Sequence, residues 1–174
     1  MSRRIGLGWV ALNVGLCLLC GCSSGSPEGR TIRQAGELTL YEGLPHQFYE
    51  ADSLEAEKKA KPTIELHGFP FYRETLKLID GDEEKLKALL SDNRSYQAYS
   101  GEKKCGGFHP DYAVSWSVES KPYVCLICFG CGEFRMDGPA GETQYDIPHQ
   151  TQVQLKKLLA SYQQNRPQFQ VGTE

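Results

Sequence analysis

The 174-residue chain lacks the charge distribution of a nucleic-acid-binding protein. Lys and Arg total 19 against 22 Asp and Glu, which gives a formal net charge of −3 at pH 7. The basic residues form no extended stripe, since the pairs Lys58-Lys59 and Lys103-Lys104 each stand alone. Most non-specific affinity for DNA or RNA comes from neutralising phosphates, so the composition argues against a nucleic acid as partner.

Long apolar runs are also scarce, and the one near the N-terminus is short. It covers residues 5–19, about 15 residues, whereas a helix needs roughly 20 to cross a bilayer. Arg3 and Arg4 precede this run, and Cys20-Gly21-Cys22 follows it. A positively charged start, an apolar middle and small residues at the end are typical of a cleaved signal peptide, which we predict over residues 1–21.

The residues around the cleavage point indicate how the mature chain is held. Leu19, Cys20 and Gly21 before Cys22 resemble the lipobox of bacterial lipoproteins. The resemblance implies a diacylglyceryl thioether on Cys22 and cleavage just before it. The expected location is therefore outside the cytoplasm, lipid-anchored to a bacterial membrane that faces the periplasm or the cell exterior. Cys20 fits the modified position less well, because bulky Leu19 would then precede the cut; an ordinary cleaved signal or an uncleaved anchor are the other readings.

Removal of residues 1–21 leaves 153 residues, enough for one domain with a real core. Residues 23–29 are Ser, Gly, Pro and Glu, so residues 22–36 are predicted to be the lipidated cysteine and a flexible tether. A single domain is expected over residues 37–167, followed by a tail at residues 168–174. No internal repeat or second domain boundary is visible.

Hydrophobic periodicity predicts an α+β domain. Alternation is clearest from Tyr112 to Val118, with a turn at residues 119–122. Further strands are predicted at residues 37–41, 63–72, 123–129, 133–136 and 143–147, and helices at residues 52–61, 82–90 and from about 148 to before 165. An antiparallel, meander-like sheet with about three helices packed mainly on one face satisfies both patterns.

Four cysteines of the predicted domain lie close together in the sequence, at Cys105, Cys125, Cys128 and Cys131. In an oxidising compartment an even set of cysteines usually forms disulfides. A bridge from Cys105 to Cys128 or Cys131 would close a loop worth about 3 kcal/mol. Because side chains alternate along a strand, Cys125 and Cys128 should face opposite ways. This favours a site formed by Cys105, Cys128 and Cys131, with Cys125 as a small apolar residue.

Two other chemistries use the same residues. Cys105, His109, Cys128 and Cys131 are a Cys3His set suited to tetrahedral zinc. Alternatively, Cys128-Phe129-Gly130-Cys131 could exchange disulfides, although the residues that follow it do not predict the helix on which redox motifs usually depend. The four-residue interval from Cys105 to His109 is unusual for zinc, and His109 is also explained as a polar loop residue.

The segment from Cys105 to Tyr112, followed by Ile127-Cys128-Phe129-Gly130-Cys131, resembles a pattern found in small exported proteins and lipoproteins of bacteria. The resemblance implies no particular activity, and no complete catalytic constellation is recognisable in the sequence. We therefore expect a non-enzymatic binding or structural module at the cell envelope, with a disulfide-stabilised cysteine cluster and no cofactor. Its expected partners are the membrane, through the lipid, and an envelope protein or ligand. The alternative is a zinc-binding or thiol-redox protein that uses Cys105, Cys128 and Cys131.

Overall fold

The computed structural model describes residues 26–79 and 81–167, and these residues confirm the predicted α+β class. Eight strands form one antiparallel sheet in the order β2-β3-β1-β5-β6-β7-β8-β4, which is larger than the expected sheet. The strands are β1 (Thr39–Gly43), β2 (Thr63–Leu66), β3 (Phe69–Leu76), β4 (Gln97–Ala98), β5 (Tyr112–Val118), β6 (Lys121–Cys128), β7 (Glu133–Gly138) and β8 (Gly141–Asp146). Strands β5 to β8 are consecutive neighbours and form the predicted meander.

Two differences from the expected strands account for the larger sheet. Residues 63–72, expected to be one strand, contain β2 and the start of β3, because the chain reverses at His67 and Gly68. Both residues have positive φ, at 50° and 80°, as a tight hairpin turn requires. The two-residue strand β4 was not predicted; it pairs with β8 at the other edge of the sheet.

The three predicted helices are present in the described residues, together with a short additional one. They are α1 (Pro27–Thr31), α2 (Ala51–Ala60), α3 (Asp82–Ser91) and α4 (His149–Leu159). Leu86 and Leu90 lie one turn apart on α3, and Leu155 and Leu159 do so on α4; all four are fully buried. This spacing places them on one face of each helix, which packs on the sheet.

The main core lies between the sheet and helices α3 and α4. Val114, Cys125 and Met136 form one row across β5, β6 and β7, and each is 0% exposed. Their neighbours two residues along, Trp116, Ile127 and Phe134, extend the same apolar face. The period of two that predicted β5 is thus the result of burial on this face.

The opposite face of the sheet carries a smaller apolar cluster that includes Phe71 and Leu126. The β2–β3 hairpin reaches across this face, since His67 Nδ1 at its tip lies 3.7 Å from Asp137 Oδ2 on β7. Phe69 from the same hairpin packs edge-on against Phe108, with ring centroids 5.4 Å apart. The segment that follows Cys105 is therefore packed between the hairpin and the sheet.

The expected tether differs from the structure over its described part, residues 26–36. Ser26 is 1% exposed and caps α1 by accepting a hydrogen bond from the Gly29 N–H at 3.0 Å. Pro27 occupies the first helical turn, a position that suits its fixed φ. Ile32 is 0% exposed and belongs to the main core. The domain therefore includes residues 26–36, because the apolar burial of Ile32 outweighs the flexibility suggested by the local composition.

Several predictions concern residues that the structure does not describe. The signal peptide at residues 1–21, Cys22 and the tail at residues 168–174 lie outside the described ranges. Within residues 26–79 and 81–167, no helix has the length and apolar character needed to cross a membrane.

Candidate functional site

The four cysteines of the domain separate into three environments. Cys105, in the loop after β4, and Cys131, in the turn between β6 and β7, lie at disulfide-bonding distance with their Cα atoms 5.6 Å apart. Cys125 is 0% exposed on the helix-covered face, where burial raises the pKa of its thiol. Cys128, at the end of β6, is buried and has no disulfide partner among the described cysteines.

The Cys128 sulfur lies at the edge of the disulfide-bearing turn. Its Sγ accepts a hydrogen bond from the Cys131 N–H at 3.2 Å. Burial raises the pKa of the Cys128 thiol, and the backbone N–H groups of His109 and Cys131 partly offset this effect. Asp111 and Glu133 add to the rise through their negative charge. Cys128 is therefore a neutral thiol at neutral pH, with the Cys131 N–H already in place as a donor to its anion.

The proposed zinc ligands line one cleft but do not fit a zinc ion in the disulfide-paired form. Two of the three sulfurs, those of Cys105 and Cys131, are bonded to each other. The Nε2 atom of His109 is 2.8 Å from the Leu44 carbonyl oxygen. Among the residues that the structure describes, no group of three or more His, Cys, Asp or Glu side chains is arranged to hold a metal ion.

The cleft has a volume of about 310 Å³ and combines the predicted cysteines with residues from distant parts of the chain. It lies where the loop after β1, the loop before β5, the β6–β7 turn and the segment after α4 meet. Its lining consists of His46, Tyr49, Glu50, Cys105, Gly107, His109, Asp111, Cys128, Gly130, Cys131, Gln163, Arg166 and Pro167.

Arg166 is the central charged residue of this cleft. One guanidinium nitrogen, Nη1, is 3.0 Å from Asp111 Oδ1. The other, Nη2, is 2.9 Å from the Leu44 carbonyl oxygen and 2.8 Å from His109 Nε2. Glu50 Oε2 lies 3.8 Å from Nη2. These contacts join the loop after β1 to the loop before β5 through a residue near the end of the described chain.

The segment that carries Arg166 is fixed by a buried carboxylate. Glu42, on β1, is 1% exposed and accepts hydrogen bonds from three successive backbone N–H groups. The donors are Gln164, Asn165 and Arg166, at 3.1, 2.7 and 2.9 Å. Consecutive amides that converge in this way form a concave anion site. Here the anion is the protein's own glutamate, which holds the segment in place.

Two histidines of the cleft are neutral at neutral pH. Burial, together with the positive charge of Arg166, lowers the pKa of His109 to about 4. Burial also lowers the pKa of His46, against the opposing effect of Glu50. The two imidazole rings lie 4.6 Å apart, so a charge on either would repel a charge on the other.

Two buried nitrogen donors at the cleft have no hydrogen-bond partner among the described residues. His46 Nδ1 accepts the Phe48 N–H at 3.1 Å, which assigns the ring proton to Nε2. His46 Nε2 and Arg166 Nε are both buried and unpaired. Unpaired buried donors are costly in a folded protein, and such groups often occur where a ligand or an ordered water completes the structure.

An exposed aromatic side chain, that of Tyr49, lines the cleft. Tyr49 is 64% exposed, and its neighbour Phe48 is 67% exposed. The Tyr49 ring lies over Gly106, where an added Cβ would come within 2.7 Å of the ring. Gly106 also has a φ of 79°, in the left-handed region that favours glycine. The Cys-Gly-Gly sequence thus allows the disulfide loop to pass beneath an exposed aromatic residue.

Sequence reasoning identified the cysteines and His109 but missed His46 as a site residue, and it missed Glu42, Glu50 and Arg166. Motif spacing gives no signal for Arg166, because its partner Asp111 is 55 residues away. His46 stands in Leu44-Pro45-His46-Gln47, which matches no catalytic signature that sequence analysis could use. The chain matched no protein-family model, no curated protein and no solved structure.

Proposed function

We propose that this chain is an exported lipoprotein whose domain binds a ligand or partner segment in the cleft beside the Cys105–Cys131 disulfide. The lipid on Cys22 would hold the domain at a bacterial membrane, on the periplasmic or outer side. The cysteine pair at bonding distance supports export, because structural disulfides persist mainly in oxidising compartments. The proposed role is binding rather than catalysis.

The observation that carries the binding proposal is that the cleft combines side chains held in fixed positions with groups that have no partner or are exposed. Arg166 and Asp111 are paired at 3.0 Å, and Glu42 fixes the adjacent backbone. Arg166, Asp111 and the adjacent backbone therefore lose little conformational freedom when a ligand binds, which reduces the entropic cost of binding. Meanwhile the buried His46 donor is unpaired and Tyr49 is exposed at the rim. Aromatic residues beside a few polar groups are typical of ligand sites.

Anchoring is tested by expressing the full chain in bacteria supplied with radiolabelled palmitate. Label on the protein and its recovery with membranes are expected, and both should be lost in Cys22→Ser. Cys20→Ser is the matched control and should keep both, because Cys20 is predicted to leave with the signal peptide. Label that depends on Cys20, or none at all, would refute the lipid assignment.

The cleft is tested separately by photocrosslinking in intact cells. A photoreactive phenylalanine analogue replaces Tyr49 in one variant and Ile79 in the other; these side chains are 64% and 61% exposed, and Ile79 does not line the cleft. A discrete adduct formed from position 49 and absent from position 79 is expected. Identical patterns from both positions, or no adduct from position 49, would contradict a binding role for this cleft.

A further inference from the structure

Three cysteine sulfur atoms lie close together in the cleft. Cys105 and Cys131 are paired, and Cys128 Sγ lies 3.2 Å from the backbone nitrogen of Cys131. All three cysteines line the same cleft. Gly130, between Cys128 and Cys131, has no atom within 4 Å of its added Cβ, so the turn has open space around it. The thiol of Cys128 therefore lies in the same turn as Cys131, one of the two residues of the disulfide.

We propose that Cys128 is the attacking thiol of a three-cysteine exchange site, which converts the Cys105–Cys131 disulfide into Cys128–Cys131 and releases Cys105 as a reactive thiol. The Cys128 thiolate attacks Sγ of Cys131, so the Cys128–Cys131 bond forms and the Cys105–Cys131 bond breaks. The electron pair of the broken bond leaves on the Cys105 sulfur, which takes up the proton that Cys128 lost. No external oxidant or reductant is needed.

The exchange moves the free thiol from a buried to a more accessible position. Cys128 is 2% exposed, whereas Cys105 is half-buried in the loop that passes under Tyr49. The Cys131 N–H donates to the Cys128 sulfur at 3.2 Å and favours its thiolate, although burial keeps the pKa of this thiol raised overall. Cys125 takes no part, because it faces the helix-covered core. The reactive group presented to the surroundings is therefore Cys105, and its chemical partners are small or protein disulfides outside the cytoplasm.

A native alkylation experiment distinguishes exchange from a static disulfide. The mature, folded protein is incubated without reductant with N-ethylmaleimide, quenched in acid and mapped without reduction. Chymotrypsin is required, since trypsin leaves all four cysteines in one fragment between Lys104 and Arg135; Lys121 precedes Pro122 and is not cut. Cleavage after Phe108, Leu126 and Phe129 separates the cysteines.

Exchange predicts that label accumulates on Cys105 while a Cys128–Cys131 disulfide appears in equal amount. Label on Cys128 with the Cys105–Cys131 disulfide retained, or no label on Cys105, would overturn the proposal. Cys128→Ser should lower the rate of Cys105 labelling by about tenfold or more, since the attacking sulfur is gone. Cys125→Ala is the matched control and should label like the wild type; dependence on Cys125 would equally overturn the assignment.

Glutathione disulfide provides a second readout that does not depend on the folding of a variant. The released Cys105 thiolate attacks one glutathione sulfur, forms a mixed disulfide on Cys105 and expels one glutathione thiolate. A glutathione adduct on Cys105 together with a Cys128–Cys131 disulfide is expected in the wild-type protein. An adduct on Cys128, or none, would contradict exchange through Cys131. Neither readout depends on whether the cleft also binds a ligand.

Discussion

Loss of the Cys105–Cys131 disulfide should destabilise the domain by an amount set mainly by the length of the loop that it closes. The two residues are 26 apart in sequence. A loop of this length corresponds to about 3.5 kcal/mol in the chain-entropy model at 25 °C. For a domain of this size the loss should lower Tm by about 7 to 14 °C.

The appropriate variant is the double substitution Cys105→Ser with Cys131→Ser, because a single Cys105→Ser change would leave Cys131 free to pair with Cys128. Urea unfolding monitored by circular dichroism should give a lower free energy of unfolding. The fold in the absence of urea should be unchanged. Cys125→Ala at the buried, unpaired cysteine is the comparison for a small change that removes no crosslink. If the free energy of unfolding fell by less than about 1 kcal/mol, this would refute the view that the disulfide stabilises the fold by restricting the conformations of the unfolded chain.

Two further predictions concern the residues that hold the cleft together. Glu42→Gln should cost about 2 kcal/mol, because the amide replaces an anion that accepts three backbone N–H groups. Hydrogen exchange at residues 164–166 should accelerate, and unchanged protection would contradict this role. The folded-state pKa of His109, about 4, lies below its ordinary value of 6.5, so its stabilising contribution is complete above pH 6.5 and is lost as pH falls towards 4. Between pH 7 and pH 4.5 the wild type should lose about 2 kcal/mol more than His109→Gln, measured by urea unfolding; equal losses would refute the assignment.

Elements with a strong local pattern could be predicted from the sequence. Strand β5 places an apolar residue of the main core at every second position from Tyr112 to Trp116, and α3 and α4 each have Leu residues one turn apart on a buried face. In contrast, the β2–β3 hairpin was predicted as one strand, because apolar residues continue on both sides of the turn at His67 and Gly68. Helix α1 was missed since its five residues follow a Ser- and Gly-rich stretch, and its burial depends on long-range packing.

The candidate site shows the same division between local and long-range information. Sequence spacing brought Cys105, Cys128 and Cys131 together as one group, but both Cys128 and Cys131 were possible partners of Cys105. The choice depends on how the β6–β7 turn projects two sulfurs that are three residues apart. Arg166 and Glu42 could not be found from the sequence, because their roles arise only when the segment after α4 returns to β1.

The burial of Ser26 has a consequence for how far the domain can travel from a membrane. A lipid on Cys22, as proposed, would leave only three residues between the anchor and Ser26, the first buried residue in the described part of the chain. A fully extended chain spans at most about 3.6 Å per residue, so the four steps from Cys22 to Ser26 span at most about 14 Å. The expected tether, from Cys22 to residue 36, would have spanned at most about 50 Å. The domain would therefore stay beside the lipid headgroups and meet its partners by lateral diffusion in the plane of that membrane.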